Sequence, residues 1–154
     1  MYTCLAVTLY SKPESRRVDL VLMSRCRQVP GQNGSPDVYG AQLANITKQL
    51  MAKQPQAKLL FALTSPSLCN VKGDGSVVNL NNQAAAIMKS NKIPTINLHD
   101  AIVRKCGPVP QASCFGMKGC FCPHCAGRPD GQGYDWLATT TIVPALTKLL
   151  PKAV

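Results

Sequence analysis

Strand-like and helix-like segments alternate along this 154-residue chain, and the alternation predicts an α/β domain built on a mostly parallel sheet. Three observations carry that expectation. Compact apolar runs of strand length occur at Val18-Asp-Leu-Val-Leu-Met23, at Ala57-Lys-Leu-Leu-Phe-Ala-Leu-Thr64 and at Ile93-Pro-Thr-Ile-Asn-Leu98. Between them lie segments in which apolar residues return every three or four positions, as on one face of a helix. A strand that reaches its neighbour through a helix does so by a right-handed crossover, which sets the two strands parallel.

The elements follow in order. Gly31, Gly34 and Pro36 punctuate a loop after the first run, and Ser35-Pro36-Asp37 reads as a helix start, with proline in the first turn where its missing N–H costs little. Tyr39, Leu43, Ile46 and Leu50 then share a helical face that runs to about Lys53, and core packing is the simplest role for them. The second strand ends in Ser65-Pro66, where proline discourages continuation as helix. Gly73-Asp74-Gly75-Ser76 reads as a turn. From Val78 to Asn91 a second helix places Leu80, Ala84, Ile87 and Met88 on one side. A short helix from Asp100 to Lys105, capped by Asp100, stops at Cys106-Gly107-Pro108. Residues 106–133 show no period and read as a long Cys-rich loop, before a last helix from Tyr134 to Leu150. In that helix Trp136, Leu137, Ile142, Leu146 and Leu149 are expected mostly inward, and Pro144 is expected to kink or split it. Residues 1–17 form an N-terminal segment with no assigned element, and 18–150 form the domain.

Composition narrows the function classes. The chain is 45% hydrophobic and only 16% charged, which suits one domain with a real core. Its 17 Lys and Arg against 7 Asp and Glu give a net charge of +10. The basic residues are scattered and aromatics are too few for a base-stacking platform, so a solvated basic surface is expected, with no specific nucleic-acid partner. No apolar segment has the length of a bilayer span, so no membrane span is expected. The first ten residues lack the basic start and small-residue cleavage site of a signal peptide. Eight cysteines nevertheless favour an extracellular or secretory location, and an N-terminus beyond Met1 would reconcile the two observations.

Four of those cysteines lie in Cys114-Phe-Gly-Met-Lys-Gly-Cys120-Phe-Cys122-Pro-His124-Cys125. Disulfides among Cys69, Cys106, Cys114, Cys120, Cys122 and Cys125 are one reading, with the pairing left open. The alternative is zinc held by Cys114, Cys120, Cys122 and Cys125, although the spacing of Cys114 and Cys120 departs from the usual paired hooks. A redox reading of Cys122-Pro-His-Cys125 needs a following helix, and Gly127 and Pro129 come instead. Asn45-Ile-Thr47 is a formal glycosylation sequence, usable on an exported chain.

In order, these features resemble the C-terminal half of an SGNH/GDSL-type hydrolase domain. The segments that carry the resemblance are Val38-Tyr39-Gly-Ala-Gln-Leu43, the strand ending in Thr64-Ser65-Pro66, Lys92-Ile93-Pro94-Thr-Ile-Asn-Leu98, and a histidine loop leading into Gly133-Tyr134-Asp-Trp-Leu137-Ala138. The resemblance covers roughly residues 18–150 and implies a three-layer α/β/α, flavodoxin-like fold, here incomplete on its N-terminal side. It implies ester hydrolysis without a cofactor, small esters or acylated carbohydrates as substrates, and His124 as the catalytic base.

The chain departs from the family in what that chemistry needs. It has no Gly-Asp-Ser nucleophile block and no Gly-x-Ser-x-Gly elbow, and where the oxyanion-binding asparagine would follow a strand it has Met23-Ser24-Arg25-Cys26. Three residues before His124, where the family has an aspartate, stands Phe121; Asp130 and Asp135 are the nearest carboxylates on the other side. A histidine without nucleophile or oxyanion donors accelerates little, so the expectation is an esterase-type domain inactive as this chain. The alternative is a zinc- or disulfide-stabilised, non-catalytic binding domain, with a partner covering an exposed sheet edge.

Overall fold

A computed structural model describes residues 5–10, 20–25, 36–66, 74–110, 114 and 132–149. The strands are β1 (Leu5–Tyr10), β2 (Leu20–Arg25), β3 (Lys58–Leu63) and β4 (Thr95–Asn97). The helices are α1 (Pro36–Lys53), α2 (Asp74–Ser90), α3 (Leu98–Cys106), α4 (Gln132–Leu137) and α5 (Val143–Leu149), with a π-helical segment at Ala138–Ile142 joining the last two.

The expected three-layer, mostly parallel fold is not what forms. Helix far exceeds strand, and the sheet is small and mixed, in the order β1-β2-β3-β4. β1 lies antiparallel to β2, from Leu5 opposite Arg25 to Tyr10 opposite Leu20, and the parallel register recorded is that of β2 with β3, from Leu20 opposite Lys58 to Ser24 opposite Ala62. The segment left unassigned at the N-terminus is therefore the source of the difference. Too few residues separate β1 from β2 for a crossover helix, and the two strands pair antiparallel. The strand order also never reverses, whereas a doubly wound sheet needs a reversal to create its ligand crevice.

Two compact units emerge. The first takes the chain up to Thr64 together with Asn79–Thr95, and the second takes Ser65–Val78 together with Ile96 onward. In the first, β3 is buried from Leu59 to Leu63, the continuous pattern of a strand covered on both faces, and only Lys58 is exposed. Its core joins Tyr39 and Leu43 of α1, Leu59, Phe61 and Leu63 of β3, and Ala84 and Met88 of α2, with Ile93. Burying side chains as large as Phe61, Leu43 and Met88 stabilises the unit by about 2 kcal/mol each.

α1 spans the residues expected, but its innermost line is Tyr39, Leu43 and Thr47, while Ile46 and Leu50 are only half-buried. A spacing of four throughout is compatible with the helical period, and only the packing chose Thr47 over Ile46. The Thr47 hydroxyl is buried without a hydrogen-bond partner among the described residues, while Asn45 of the same formal glycosylation sequence is exposed.

α2 begins earlier than its apolar stripe suggests. Asp74, Gly75 and Ser76 form its first turn, so the stretch read as a turn is helix. An acidic residue there is favoured by the positive end of the helix dipole. The far end closes in a Schellman motif: the Ile93 N–H donates to the Met88 carbonyl at 2.9 Å and the Lys92 N–H to that of Lys89 at 3.1 Å. Lys92 carries the left-handed backbone that this closure requires, with φ of 57°. Ile93 and Met88 both enter the core, which shortens the expected strand at Ile93–Leu98 to Thr95–Asn97.

In the second unit, Ala101 and Ile102 of α3 and Leu137 of α4 form a smaller core, with Leu98, Cys106, Cys114 and Trp136 packed against it. The cap of α3 is Asn97 rather than Asp100: the Asn97 Oδ1 accepts from the Asp100 N–H at 3.0 Å. The expected helix from Tyr134 onward is divided. Pro144 lacks an N–H, and just before it the ladder widens, with the Val143 N–H reaching back to the Ala138 carbonyl. Thr139 and Thr140 hydroxyls donate to the Trp136 carbonyl at 3.2 and 2.6 Å. Ile142, Leu146 and Leu149, expected inward, are half-buried, so Leu137 alone of this series is fully enclosed.

Candidate functional site

His124, the residue the sequence singles out as base, lies outside the described residues, as do Cys69, Cys120, Cys122, Cys125, Phe121 and Asp130. Asp135 is described and exposed in α4. Cys106, the last residue of α3, is bonded to Cys114, eight positions further along the chain, with Cα atoms 5.6 Å apart. A sulfur in a disulfide is not a thiolate, so in this state Cys114 contributes nothing to the zinc set Cys114, Cys120, Cys122 and Cys125. Among the described residues no group of three or more His, Cys, Asp or Glu side chains is placed to hold a metal ion.

The imidazole that the described structure does surround is His99. It sits in the first turn of α3, directly after β4, and its side chain is 13% exposed. Its Nε2 lies 3.0 Å from the Asp74 Oδ2, at the start of α2. An ionised carboxylate only accepts, so Nε2–H donates and Asp74 fixes the ring's tautomer. On the other side, Nδ1 is 3.5 Å from the Asp100 Oδ1, too far for a good hydrogen bond. The other Asp74 oxygen, Oδ1, is buried and has no hydrogen-bond partner among the described residues.

Each carboxylate occupies the first turn of a helix, where the dipole favours negative charge. The imidazole thus sits between two acidic helix starts. Chemically, the arrangement orients a ring and leaves Nδ1 as the nitrogen that exchanges a proton. No hydroxyl of a described residue hydrogen-bonds to it, so the pair has a base and an orienting acid but no partner to activate.

Asp100 is the carboxylate next to His99 in sequence, but adjacency places it badly to orient the ring. The orienting residue is Asp74, 25 positions earlier, which no local motif signals. Beside this site Lys105 places its Nζ 5.0 Å from the centroid of the Trp136 ring, a cation–π contact at the edge of the smaller core.

No family model matches the chain, and no curated protein matches it either. Among the described residues no helix is long and apolar enough to cross a membrane.

Proposed function

We propose that this chain is an ester-hydrolase-type domain of the SGNH/GDSL kind which, with no Gly-Asp-Ser block in its sequence, does not hydrolyse esters by itself. The observation that carries the reading is the order of the resembling segments. Tyr39 lies on the buried face of a helix, a buried strand runs out into Thr64-Ser65-Pro66, and a buried Gly133 opens the helix that contains Trp136 and Leu137. His124 is the base of this reading, and the missing serine and oxyanion donors account for the lack of turnover.

A second reading, a disulfide-stabilised binding domain without catalysis, is favoured by the Cys106–Cys114 bond, which also suits an oxidising compartment. Short-chain p-nitrophenyl esters assayed with the purified chain and with His124→Ala test the proposal, alongside a fluorophosphonate probe for reactive serines. The expected result is no turnover above the variant and no labelling. Turnover that His124→Ala abolishes, or a labelled serine, would show that the chain holds a nucleophile of its own.

A further inference from the structure

A shallow groove of about 500 Å³ runs past the end of α2 in the first unit, lined by Ala85, Lys89, Lys92, Ile93, Pro94 and Thr95. Its charged groups are two ammoniums, with no carboxylate in the lining and no ion pair to either lysine among the described residues. Lys89 has a ready explanation, since a cation in the last turn of a helix meets the negative end of its dipole. Lys92 has none of that kind. It holds the left-handed position of the Schellman closure, where glycine is the default because a Cβ there is strained. A strained backbone carrying a long charged side chain beside a concave surface is the pattern expected where the side chain has work at that surface.

We propose that this groove is an anion site that takes a phosphate or sulfate monoester. Each ammonium offers up to three donors to the oxygens of such a group, and the Thr95 hydroxyl adds another. Ala85, Ile93 and Pro94 supply an apolar floor for the organic part of the ester. The net charge of +10 draws anions toward the surface from a distance, and both the attraction and the binding weaken as salt rises. The site is independent of the hydrolase reading, because it shares no residue with the histidine chemistry.

The test uses the full chain, ¹⁵N-labelled, titrated at low salt with glucose 6-phosphate, glucose 6-sulfate and neutral glucose. Both esters are expected to move the amide signals of Lys92, Ile93 and Thr95, and glucose is not. Lys89→Gln and Lys92→Gly should each weaken ester binding roughly fivefold, as for loss of one exposed charge pair, and Lys48→Gln on α1 should leave it unchanged. Lys92→Gly should at the same time melt at a higher temperature than the wild type, which separates lost binding from a lost fold. The stronger of the two esters identifies whether the natural group is phosphate or sulfate. No response to either ester, equal binding of glucose, or equal affinity in all three variants would overturn the site.

Discussion

Asn81 offers the sharpest check on how β3 is held at its exit. Its side chain is buried, and it pairs twice with one residue: the Thr64 N–H donates to Asn81 Oδ1 at 2.9 Å, and Asn81 Nδ2 donates to the Thr64 carbonyl at 2.8 Å. The amide therefore completes the strand as another strand would. Asn81→Ala removes both hydrogen bonds and leaves the Thr64 backbone with neither partner. Each bond is worth about 1 kcal/mol net, and a stranded buried group costs somewhat more, so the expected loss is about 2–3 kcal/mol, moderated because Thr64 is only half-buried. For a chain of this size that is a shift of about 1 M in the urea midpoint with little change in slope.

Far-UV circular dichroism during urea unfolding is the assay, with Asn82→Ala as the reference. Asn82 is exposed on the same helix, so that change reports only the better helix propensity of alanine, a gain of about 0.5 kcal/mol. Asn81→Asp separates the two bonds, since it keeps the acceptor for the Thr64 N–H but sets a carboxylate oxygen against the Thr64 carbonyl; it should lose at least as much as Asn81→Ala. An Asn81→Ala midpoint equal to that of Asn82→Ala would refute the claim that the double hydrogen bond anchors the end of β3.

Two further outcomes concern the second unit. Cys114→Ser, or reduction of the native chain, opens the loop that the disulfide closes across a sequence separation of 8 and should lower stability by about 2–3 kcal/mol, and the emission of Trp136, the chain's one tryptophan, should shift to the red as the cluster of Ala101, Ile102 and Leu137, on which Trp136 and both cysteines pack, loosens; unchanged emission would mean that the disulfide does not hold that cluster. His99→Leu strands the Asp74 carboxylate, whose second oxygen already lacks a partner among the described residues, and should cost about 1–2 kcal/mol, with part of the loss recovered when Asp74→Leu is added; additive losses in this double-mutant cycle would show that the pair is not coupled.

Local pattern alone revealed much of the helical content and the neighbourhoods of β2, β3 and β4, though not β1. Pro36 at a helix start, the apolar run of β3 and the stop at Gly107 each follow from the residues within one turn of them, because caps, proline and side-chain period are local properties. Even the division of the last helix near Pro144 was legible, although the π-helical form it takes was not.

The site was legible only in half. His99 stands out as a histidine at a strand end, but Asp74 becomes its partner only because the starts of α2 and α3 come together, and Gly73-Asp74-Gly75-Ser76 by itself looks like a turn. Likewise the choice of Thr47 over Ile46 as a fully buried position, and of Asn97 over Asp100 as the cap, depended on which neighbours were present.

Sequence by itself determined most of the helices and the neighbourhoods of three strands, the positive charge, and the absence of a Gly-Asp-Ser nucleophile from these 154 residues, since all of these are properties of short segments or of simple sums. Tertiary structure decided how the strands join. An N-terminal strand pairing antiparallel with β2 turned an expected parallel, three-layer architecture into a small mixed sheet, and the same long-range level of organisation chose Cys114 as the partner of Cys106 and Asp74 as the partner of His99. Pairings between distant residues are fixed by which surfaces the whole chain can bury together, and that information is spread over the fold rather than written beside either partner.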